Sequence, residues 1–181
     1  MPHQSTISIA SGPSALERLD ELTDLYLEVY AEPPYNSGPL WHKDAFLNRT
    51  HNQAAREGFT LVTADDHDGT LCGFTFGLTI DAGKWWANSL TEPPEQIRAA
   101  AKFAVIELVV RRPHRERGLG RTLLTTLLNT RTEPYAILSA MPSAPARDIY
   151  EHWGWHHIAT SQPNDDAPML DTMMLQLTPT S

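Results

Sequence analysis

The sequence predicts an α/β (α+β) fold, because strand-length apolar segments are interleaved with amphipathic helices and residues 103–128 form a strand, a glycine turn and a helix. Residues 103–110 are apolar on both alternating faces apart from Glu107, which is typical of a buried central strand. Beyond Gly118 and Gly120, leucines recur at the spacing of a buried helix face, at Leu119, Leu123, Leu124, Leu127 and Leu128. The glycines therefore lie where a strand leads into a helix N-terminus.

The first part of the chain predicts a strand and two helices. Residues 6–10 alternate as a short strand, and the capping-box pattern of Ser14 and Glu17 predicts the start of a helix. The apolar stripe of this helix comprises Leu16, Leu19, Leu22, Leu25, Tyr26 and Val29. The turn-rich loop 33–39 is expected to end it, and a second helix should span about residues 41–56.

The remaining segments predict five more strands and a short helix. The predicted strands are residues 59–64, 71–80, 134–140, 156–160 and 169–177, of which the first two form a hairpin. The strand 134–140 should lie beside 103–110, because a strand–helix–strand unit of this length normally makes a right-handed crossover. The short helix precedes Gly154 and carries one apolar face, formed by Ala146, Ile149, Tyr150 and Trp153.

A long connection, residues 81–102, separates the hairpin from the central strand. Connections of this length in a compact domain are usually functional or mobile. Trp85 and Trp86 lie within it, and their rings could stack on a sugar ring or a cation as part of a substrate lid. The alternative is that both tryptophans anchor the insertion to the core.

The turn between residues 111 and 121 predicts an anion-binding site. The first turn of a helix leaves backbone N–H groups unpaired and carries partial positive charge, so it binds phosphate well. Gly118 and Gly120 keep the backbone accessible to such a ligand. Five arginines lie between residues 111 and 121, although the whole chain has a net charge of −8. This local reversal of charge indicates an anionic partner.

Two common phosphate motifs do not fit this turn. The dinucleotide fingerprint requires a third glycine where the chain has Leu123, and a P-loop requires a Gly-Lys-Ser/Thr sequence that is absent. Residues 115–120, Arg-Glu-Arg-Gly-Leu-Gly, instead match the Arg/Gln-x-x-Gly-x-Gly/Ala signature of the GCN5-related N-acetyltransferase (GNAT) family at every fixed position. The chain resembles that family strongly in this segment.

The resemblance implies a GNAT fold, a mixed, mostly antiparallel central sheet of about 6–7 strands flanked by about 4 helices. It also implies acetyl-coenzyme A (acetyl-CoA) as cosubstrate, with its pyrophosphate on the turn amides and its pantetheine arm along the central strand. The cofactor-binding residues implied in this way are Leu108, Val109, Val110, Arg115, Glu116, Arg117, Gly118, Leu119, Gly120 and Arg121.

A second signature lies in residues 146–155, which match the family pattern Ala-x-x-aliphatic-Tyr-x-x-x-Gly-aromatic at each position. By resemblance, Tyr150 is the acid that protonates the departing CoA thiolate, and the alternative is a core aromatic on the helix face. Three residues before Ala146 the family often has an asparagine that contacts pantetheine. This chain has Ser143 there, which we assign to the cofactor site.

Glu107 is the candidate general base. An aliphatic amine with a pKa of about 10 is protonated at neutral pH, so acetyl transfer needs a group that removes a proton. A carboxyl group on an otherwise apolar strand would be desolvated and its pKa raised, which suits this role. The resembled family also places a carboxylate here in many members. The alternative is a structural role, in which Glu107 pairs with an arginine or caps a backbone group.

Length and composition predict one domain over residues 1–181, in a cytoplasmic protein that is a monomer or a homodimer. No apolar run reaches the roughly 18–20 residues of a membrane span, and the single cysteine, Cys72, suits a reducing compartment. The acidic net charge argues against nucleic-acid binding and favours a cationic substrate. No metal is expected, since His152, His156 and His157 lack the further ligands of a zinc site.

These observations predict an acetyl-CoA-dependent N-acetyltransferase for a small cationic amine, such as an aminoglycoside-like antibiotic or a polyamine. Tyr30, Pro34 and Tyr35 are expected to line the acceptor pocket, which the first two helices of the resembled family commonly flank. Aromatic packing beneath a loop is the alternative for these residues. Two other functions stay open: acetylation of protein N-termini or lysine side chains, and a non-catalytic acetyl-CoA-binding module.

Overall fold

The structure, a computed structural model, describes residues 4–177. Within this range the chain forms seven strands and six α-helices. The strands are β1 (Thr6–Ser11), β2 (Thr60–Asp65), β3 (Leu71–Ile80), β4 (Lys102–Val110), β5 (Tyr135–Ala140), β6 (His156–Ser161) and β7 (Leu170–Gln176). The helices are α1 (Pro13–Leu16), α2 (Leu19–Tyr30), α3 (Lys43–Ala54), α4 (Glu95–Ala99), α5 (Leu119–Asn129) and α6 (Pro145–His152).

The seven strands form one sheet in the order β1-β2-β3-β4-β5-β7-β6. The described pairings are antiparallel except that between β4 and β5, which is parallel. The predicted mixed, mostly antiparallel sheet is therefore confirmed. None of the helices within residues 4–177 combines the length and the apolar character that a membrane crossing requires.

The chain divides into two compact units. The first unit comprises Met1–Leu78 and Ile106–Thr130, and the second comprises Thr79–Val105 and Arg131–Ser181. Strand β4 contributes its C-terminal half to the first unit and its N-terminal half to the second. The boundary of a single domain over residues 1–181 stays a prediction.

The first unit contains the predicted hairpin and the glycine turn. Strands β2 and β3 pair from Thr60↔Gly77 to Asp65↔Leu71, with a register shift at Ala64/Asp65. Gly73 on β3 faces the backbone of β4, and a Cβ atom there would lie 2.9 Å from the carbonyl oxygen of Val109. Such a distance is too short for a side chain, so glycine is required at this position.

The second unit is built on β5, which lies between β4 and β7. The parallel register runs from Lys102↔Tyr135 to Val105↔Leu138, as the strand–helix–strand pattern predicts. Its buried core is mainly aliphatic and aromatic, and includes Phe103, Ile137, Leu138, Trp155 and Met173. Lys102 is fully buried as well, because its ammonium group donates to the carbonyl oxygens of Arg98 at 2.9 Å and Ala100 at 2.8 Å.

Two local expectations are wrong. The capping box does not form, because α1 begins at Pro13 after Gly12 and no side chain caps it, and the predicted stripe is divided between α1 and α2. Lys102 belongs to β4 rather than to the preceding connection, and its ammonium group is hydrogen-bonded to backbone carbonyl groups that the local sequence does not reveal. On the apolar face predicted for the short helix, Ile149 is 47% exposed.

Candidate active site

Glu107 lies on the C-terminal half of β4 in the first unit and is only 8% exposed. Its carboxylate oxygen Oε2 accepts a hydrogen bond from the Tyr30 hydroxyl group at 2.9 Å. The Thr75 hydroxyl on β3 donates to the backbone carbonyl oxygen of Glu107 at 2.7 Å, which fixes the strand at this position. Within residues 4–177 no arginine or lysine forms an ion pair with Glu107, so the structural alternative of an arginine pair is not realised.

The surroundings of Glu107 raise its pKa. Burial is the largest cause, because an anion is poorly stabilised away from water. The positive charge of Arg49 and the Tyr30 hydrogen bond act in the opposite direction, and the net result is a pKa of about 7. At neutral pH this carboxyl group can both accept and release a proton, which suits a general base.

Five aromatic side chains of the first unit pack together beside Glu107, and we call them the aromatic cluster: Tyr26, Tyr30, Tyr35, Trp41 and Phe46. Tyr26 stacks on Phe46 with ring centroids 4.0 Å apart and lies 4.4 Å from Tyr30. Tyr30 lies edge-on to Tyr35 at 4.6 Å and parallel to Trp41 at 5.8 Å. Tyr26 and Phe46 are fully buried, so Tyr30, Tyr35 and Trp41 are the members whose rings are partly exposed.

The loop after α2 carries two of the predicted acceptor-binding residues. Pro34 follows a cis peptide bond and is half-buried, as is Tyr35. The backbone N–H of Ser37 donates to the carbonyl oxygen of Tyr30 at 2.8 Å, which folds the loop back onto the helix end. The structure thus brings Tyr30 and Tyr35 together, with Tyr30 in contact with Glu107.

The N-terminus of α5 has the geometry of an anion site. Gly118, its N-cap residue, adopts a left-handed conformation with φ 79°, and Glu116 also has a positive φ of 63°. No side chain within residues 4–177 caps this helix, and a Cβ atom at Gly118 would meet nothing within 4 Å. The Thr122 N–H donates to the Gly118 carbonyl oxygen at 3.0 Å, which is the first i to i−4 hydrogen bond of the helix. The amides of residues 119–121 lie before this bond. These residues therefore fit the diphosphate of a nucleotide cofactor.

Two of the five arginines in this segment are already paired with glutamates of the first unit. Arg111 forms an ion pair with Glu28, and Arg115 lies 2.8 Å from Glu32 between Nη2 and Oε2. Arg115 also donates from Nε to the Val110 carbonyl oxygen at 2.8 Å. The positive charge available to an anion is therefore smaller than the arginine count suggests.

The other predicted cofactor residues occupy three positions. On β4, Val109 is buried, whereas Leu108 and Val110 are half-buried. Around the turn, Arg117 and Arg121 are exposed, and Leu119 and Gly120 are half-buried. In the second unit, Ser143 is exposed in the connection from β5 to α6.

Tyr150 lies on α6 in the second unit and is half-buried. Its ring lies 6.0 Å from Trp153 and 6.1 Å from Trp155 between centroids, so it belongs to an aromatic group that ends the helix. Gly154 follows with a φ of 94°, a conformation that favours glycine. The helix stop predicted from the second signature is thus confirmed, while the role of Tyr150 stays a prediction.

The connection 81–101 is attached to β6 within the second unit. The Trp85 indole N–H donates to the Ser89 hydroxyl at 3.1 Å, and the Lys102 ammonium group lies 5.7 Å from the Trp85 ring centroid. The backbone N–H of Leu90 donates to the Thr160 carbonyl oxygen at 2.7 Å. Trp85 and Trp86 are half-buried and lie 6.3 Å apart. These contacts favour an anchored segment over a mobile one.

Several residues of the candidate site were not predicted from the sequence. Tyr26 lies one helical turn before the predicted Tyr30 on α2, and Glu28 lies on the same helix four residues before Glu32, which follows the helix end. This spacing was the available signal for Tyr26, Glu28 and Glu32. Arg49 had no such signal, since its role depends on the packing of α3. In the described part of the chain, one group, Asp66, His67 and Asp68, has the proximity of metal ligands, but Asp66 accepts backbone hydrogen bonds that shape the β2–β3 turn.

Three features together define the class of acetyl-CoA-dependent N-acetyltransferases. They are the sheet order, the open glycine turn at a helix N-terminus and the buried carboxyl group on the preceding strand. The sequence model of the acetyltransferase (GNAT) family matches residues 19–155. Because this span is more than half of the 181 residues, the chain belongs to that family. Acetyl-CoA is the cosubstrate of this class, and the first turn of α5 fits its diphosphate.

Solved structures with the same fold support this assignment. The Arabidopsis thaliana NAA60 protein, in complex with a bisubstrate analogue, is 15% identical, covers 97% of this chain and 100% of its own, and has a TM-score of 0.65. The Escherichia coli ribosomal-protein-S18-alanine N-acetyltransferase is 17% identical over 97% of both chains, with a TM-score of 0.59. The Salmonella typhimurium yncA protein, solved with acetyl-CoA, is 16% identical over 98% and 96%, with a TM-score of 0.61. At these identities the likeness establishes a shared fold.

Proposed function

We propose that this protein transfers an acetyl group from acetyl-CoA to the amine of a small cationic molecule, with Glu107 as the general base. The observation that carries the proposal is the buried Glu107 carboxyl group, whose pKa is raised to about 7 beside an aromatic cluster. An aliphatic ammonium group has a pKa of about 10 and must lose a proton before it can attack a thioester. Glu107 accepts that proton directly or through a water molecule.

The aromatic cluster supports a cationic acceptor. Aromatic faces attract ammonium groups, and the acidic net charge of −8 attracts cations towards the protein. In this proposal Tyr30, Pro34 and Tyr35 bind the acceptor, and Trp41 extends the same surface. Trp85 and Trp86 are further candidates, for which the contacts to Ser89 and Lys102 equally support a structural role.

The cofactor residues are assigned by motif and geometry. The first turn of α5 and the positive-φ residues before it would bind the diphosphate, with Arg117 and Arg121 at its exposed side. Leu108, Val109 and Val110 on β4 would pair with the pantetheine arm, and Ser143 would contact the same arm. When bound, acetyl-CoA supplies the activated acetyl thioester.

Tyr150 is proposed as the general acid, on the basis of its position in the second signature. The departing thiolate needs a proton, and a phenol can supply it. Tyr150→Phe should lower kcat roughly 10²-fold while leaving the acetyl-CoA Kd unchanged, because only the hydroxyl group is removed. Steady-state kinetics and calorimetry test this, and activity within about threefold of the parent would assign Tyr150 to packing alone.

The acceptor class is tested by an amine panel with a free-thiol readout. The panel contains a polyamine, an aminoglycoside, free amino acids, a peptide with a free N-terminus and a lysine peptide with a blocked N-terminus. We expect the highest kcat/KM with a small cationic amine, and a roughly 10³-fold lower kcat with Glu107→Gln as the matched control. Preference for a peptide would favour the protein acetyltransferase alternative, and absence of turnover with every amine would favour a binding module. Cytoplasmic location and a monomeric or homodimeric state stay predictions.

A further inference from the structure

In the described part of the chain, the only hydrogen bond to the Glu107 carboxyl group comes from Tyr30. The bond engages Oε2 and leaves Oε1 without a hydrogen-bond partner among residues 4–177. Tyr30 lies at the end of α2, and Tyr26 lies one turn earlier on the same helix, with the two rings 4.4 Å apart. The two tyrosines therefore approach the carboxyl group from one helix.

Arg49 on α3 is held against the aromatic cluster by two hydrogen bonds. Its Nη2 donates to the Tyr26 hydroxyl oxygen at 3.0 Å, and its Nη1 donates to the Leu40 carbonyl oxygen at 2.9 Å. Neither bond involves a carboxylate, so the guanidinium charge is not neutralised by these contacts. This charge acts on Glu107 and favours its ionised form.

We infer that Tyr30 is a positioning residue that holds the Glu107 carboxylate in one orientation by its hydrogen bond to Oε2, so that Oε1 is the oxygen that accepts the proton of the acceptor amine. Arg49, fixed on the Tyr26 hydroxyl group, supports the same site through its charge. The inference rests on the proposed function, because it assigns the supporting groups of the same base. The proton moves from the ammonium nitrogen to Oε1, the N–H electron pair stays on nitrogen, and the Tyr30 O–H bond to Oε2 remains intact.

Tyr30 can serve only as a donor to Glu107. Burial and the Glu107 charge both raise the pKa of Tyr30 well above its usual value, so its hydroxyl stays protonated over the working pH range. The other titratable groups at Glu107 are Tyr26 and Tyr35, whose pKa values are also raised, by burial first and then by the Glu107 charge. Arg49 is therefore the cation that opposes the desolvation of Glu107.

The test is a direct titration of the Glu107 carboxyl group in the full-length protein. Glutamate labelled with carbon-13 at Cδ is followed by NMR between about pH 5 and pH 9, and Glu107→Gln identifies the signal by its loss. Tyr30→Phe keeps the ring in the cluster and removes only the hydroxyl group. We expect it to raise the pKa of Glu107 by about one unit, because a hydrogen bond to the charged form is lost.

Three further variants separate the effect of the Tyr30 hydrogen bond from the effect of the Arg49 charge. Tyr35→Phe removes a neighbouring hydroxyl that does not bond to Glu107 within the described residues, and the pKa of Glu107 should stay within about 0.2 units whatever the effect on acceptor KM. Arg49→Gln should raise the pKa of Glu107, and Arg49→Lys should restore most of the difference. Both arginine variants are compared at equal folded fraction by circular dichroism.

The same variants are then assayed for the pH dependence of kcat/KM. The inference is supported if Tyr30→Phe shifts two quantities to higher pH together: the NMR pKa of Glu107 and the midpoint of the acid limb of the kcat/KM profile. An unchanged NMR pKa would overturn the positioning role while leaving Glu107 as the base. A shifted NMR pKa with an unshifted rate profile would show that Glu107 is not the base, and the inference would then fail together with the proposed function.

Discussion

Two glutamates of this protein, Glu107 in the first unit and Glu133 in the second, are equally buried and have opposite pKa shifts. Glu107 is 8% exposed and Glu133 is 9% exposed. Among residues 4–177 the Glu107 carboxyl group has one hydrogen-bond donor, Tyr30, and its pKa is raised to about 7. Burial acts to raise the pKa of Glu133 too, but hydrogen bonds from Arg131, Thr79 and the backbone outweigh it and lower the pKa.

The difference shows that burial alone does not mark a catalytic carboxyl group. The Arg131 guanidinium donates to both carboxylate oxygens of Glu133, at 3.1 Å and 2.7 Å, and Thr79 donates at 2.7 Å. A carboxylate held in this way stays ionised and has little capacity to accept a proton at neutral pH. Glu107 has fewer donors and no ion pair in the described part of the chain, so it keeps that capacity.

The largest expected effect is on catalysis. Glu107→Gln should lower kcat roughly 10³-fold, because the amine loses its proton acceptor, while Glu133→Gln should leave kcat within about twofold in the folded fraction. The acetyl-CoA Kd, measured by calorimetry, should stay unchanged in both variants. Equal loss of kcat in the two variants would remove the distinction between the two carboxyl groups.

The next largest effect is on stability, and here the Glu133 variant should be affected more than the Glu107 variant. Glu133→Gln should lower the free energy of unfolding by about 3 kcal/mol, because it removes the charge-assisted hydrogen bonds between the Glu133 carboxylate and the mostly buried Arg131 guanidinium. Urea unfolding with Glu107→Gln as the matched variant measures this. A larger loss of stability in Glu107→Gln than in Glu133→Gln would assign the structural role to Glu107.

The pH dependence of stability should separate the two groups further. The pKa of Glu107 rises from 4.5 to about 7 on folding, so its ionisation disfavours the folded state and stability falls as pH rises through this interval. Glu107→Gln should abolish that fall, which amounts to about 3 kcal/mol. Glu133, whose pKa is lowered, contributes stability that is present above its unfolded pKa and is lost as pH falls through its folded pKa. Thermal unfolding across this pH range tests both statements.

The smallest effect concerns a third glutamate, Glu32, whose partner Arg115 is 36% exposed. Glu32→Gln should lower stability by less than about 1 kcal/mol, because a partly exposed pair contributes little. It should also lower the acetyl-CoA Kd about two- to threefold at low salt, since the freed guanidinium adds positive charge near the glycine turn. Glu21→Gln, which breaks the Arg18 pair, is the matched control. An unchanged Kd at low salt would mean that Arg115 does not contribute to the anion site.

The fold was largely predictable because its signals are local. The β3 strand matches the prediction at both ends, and α5 begins directly after Gly118 as the glycine turn predicts. The exceptions have non-local causes. Arg18 interrupts the predicted first helix and pairs with Asp65 on β2, and this partner is distant in sequence. The buried Lys102 similarly depends on carbonyl groups that the fold brings to it.

The candidate site was predictable in its residue types but not in its interactions. A single carboxyl group on an apolar strand identified Glu107, and the structure supplies the burial that raises its pKa. The arginine-rich turn suggested free positive charge, yet Glu28 and Glu32 pair with Arg111 and Arg115 across more than 80 residues of sequence. The sequence offers no pattern that distinguishes a paired arginine from a free one, because the partner lies on another element.

The most direct test of the account is the pH dependence of kcat/KM at saturating acetyl-CoA for the parent, Glu107→Gln and Glu133→Gln. If Glu107 is the general base, the parent and Glu133→Gln should show an acid limb with a midpoint near the Glu107 pKa of about 7, and Glu107→Gln should lack it. A limb with the same midpoint in Glu107→Gln would contradict the assignment.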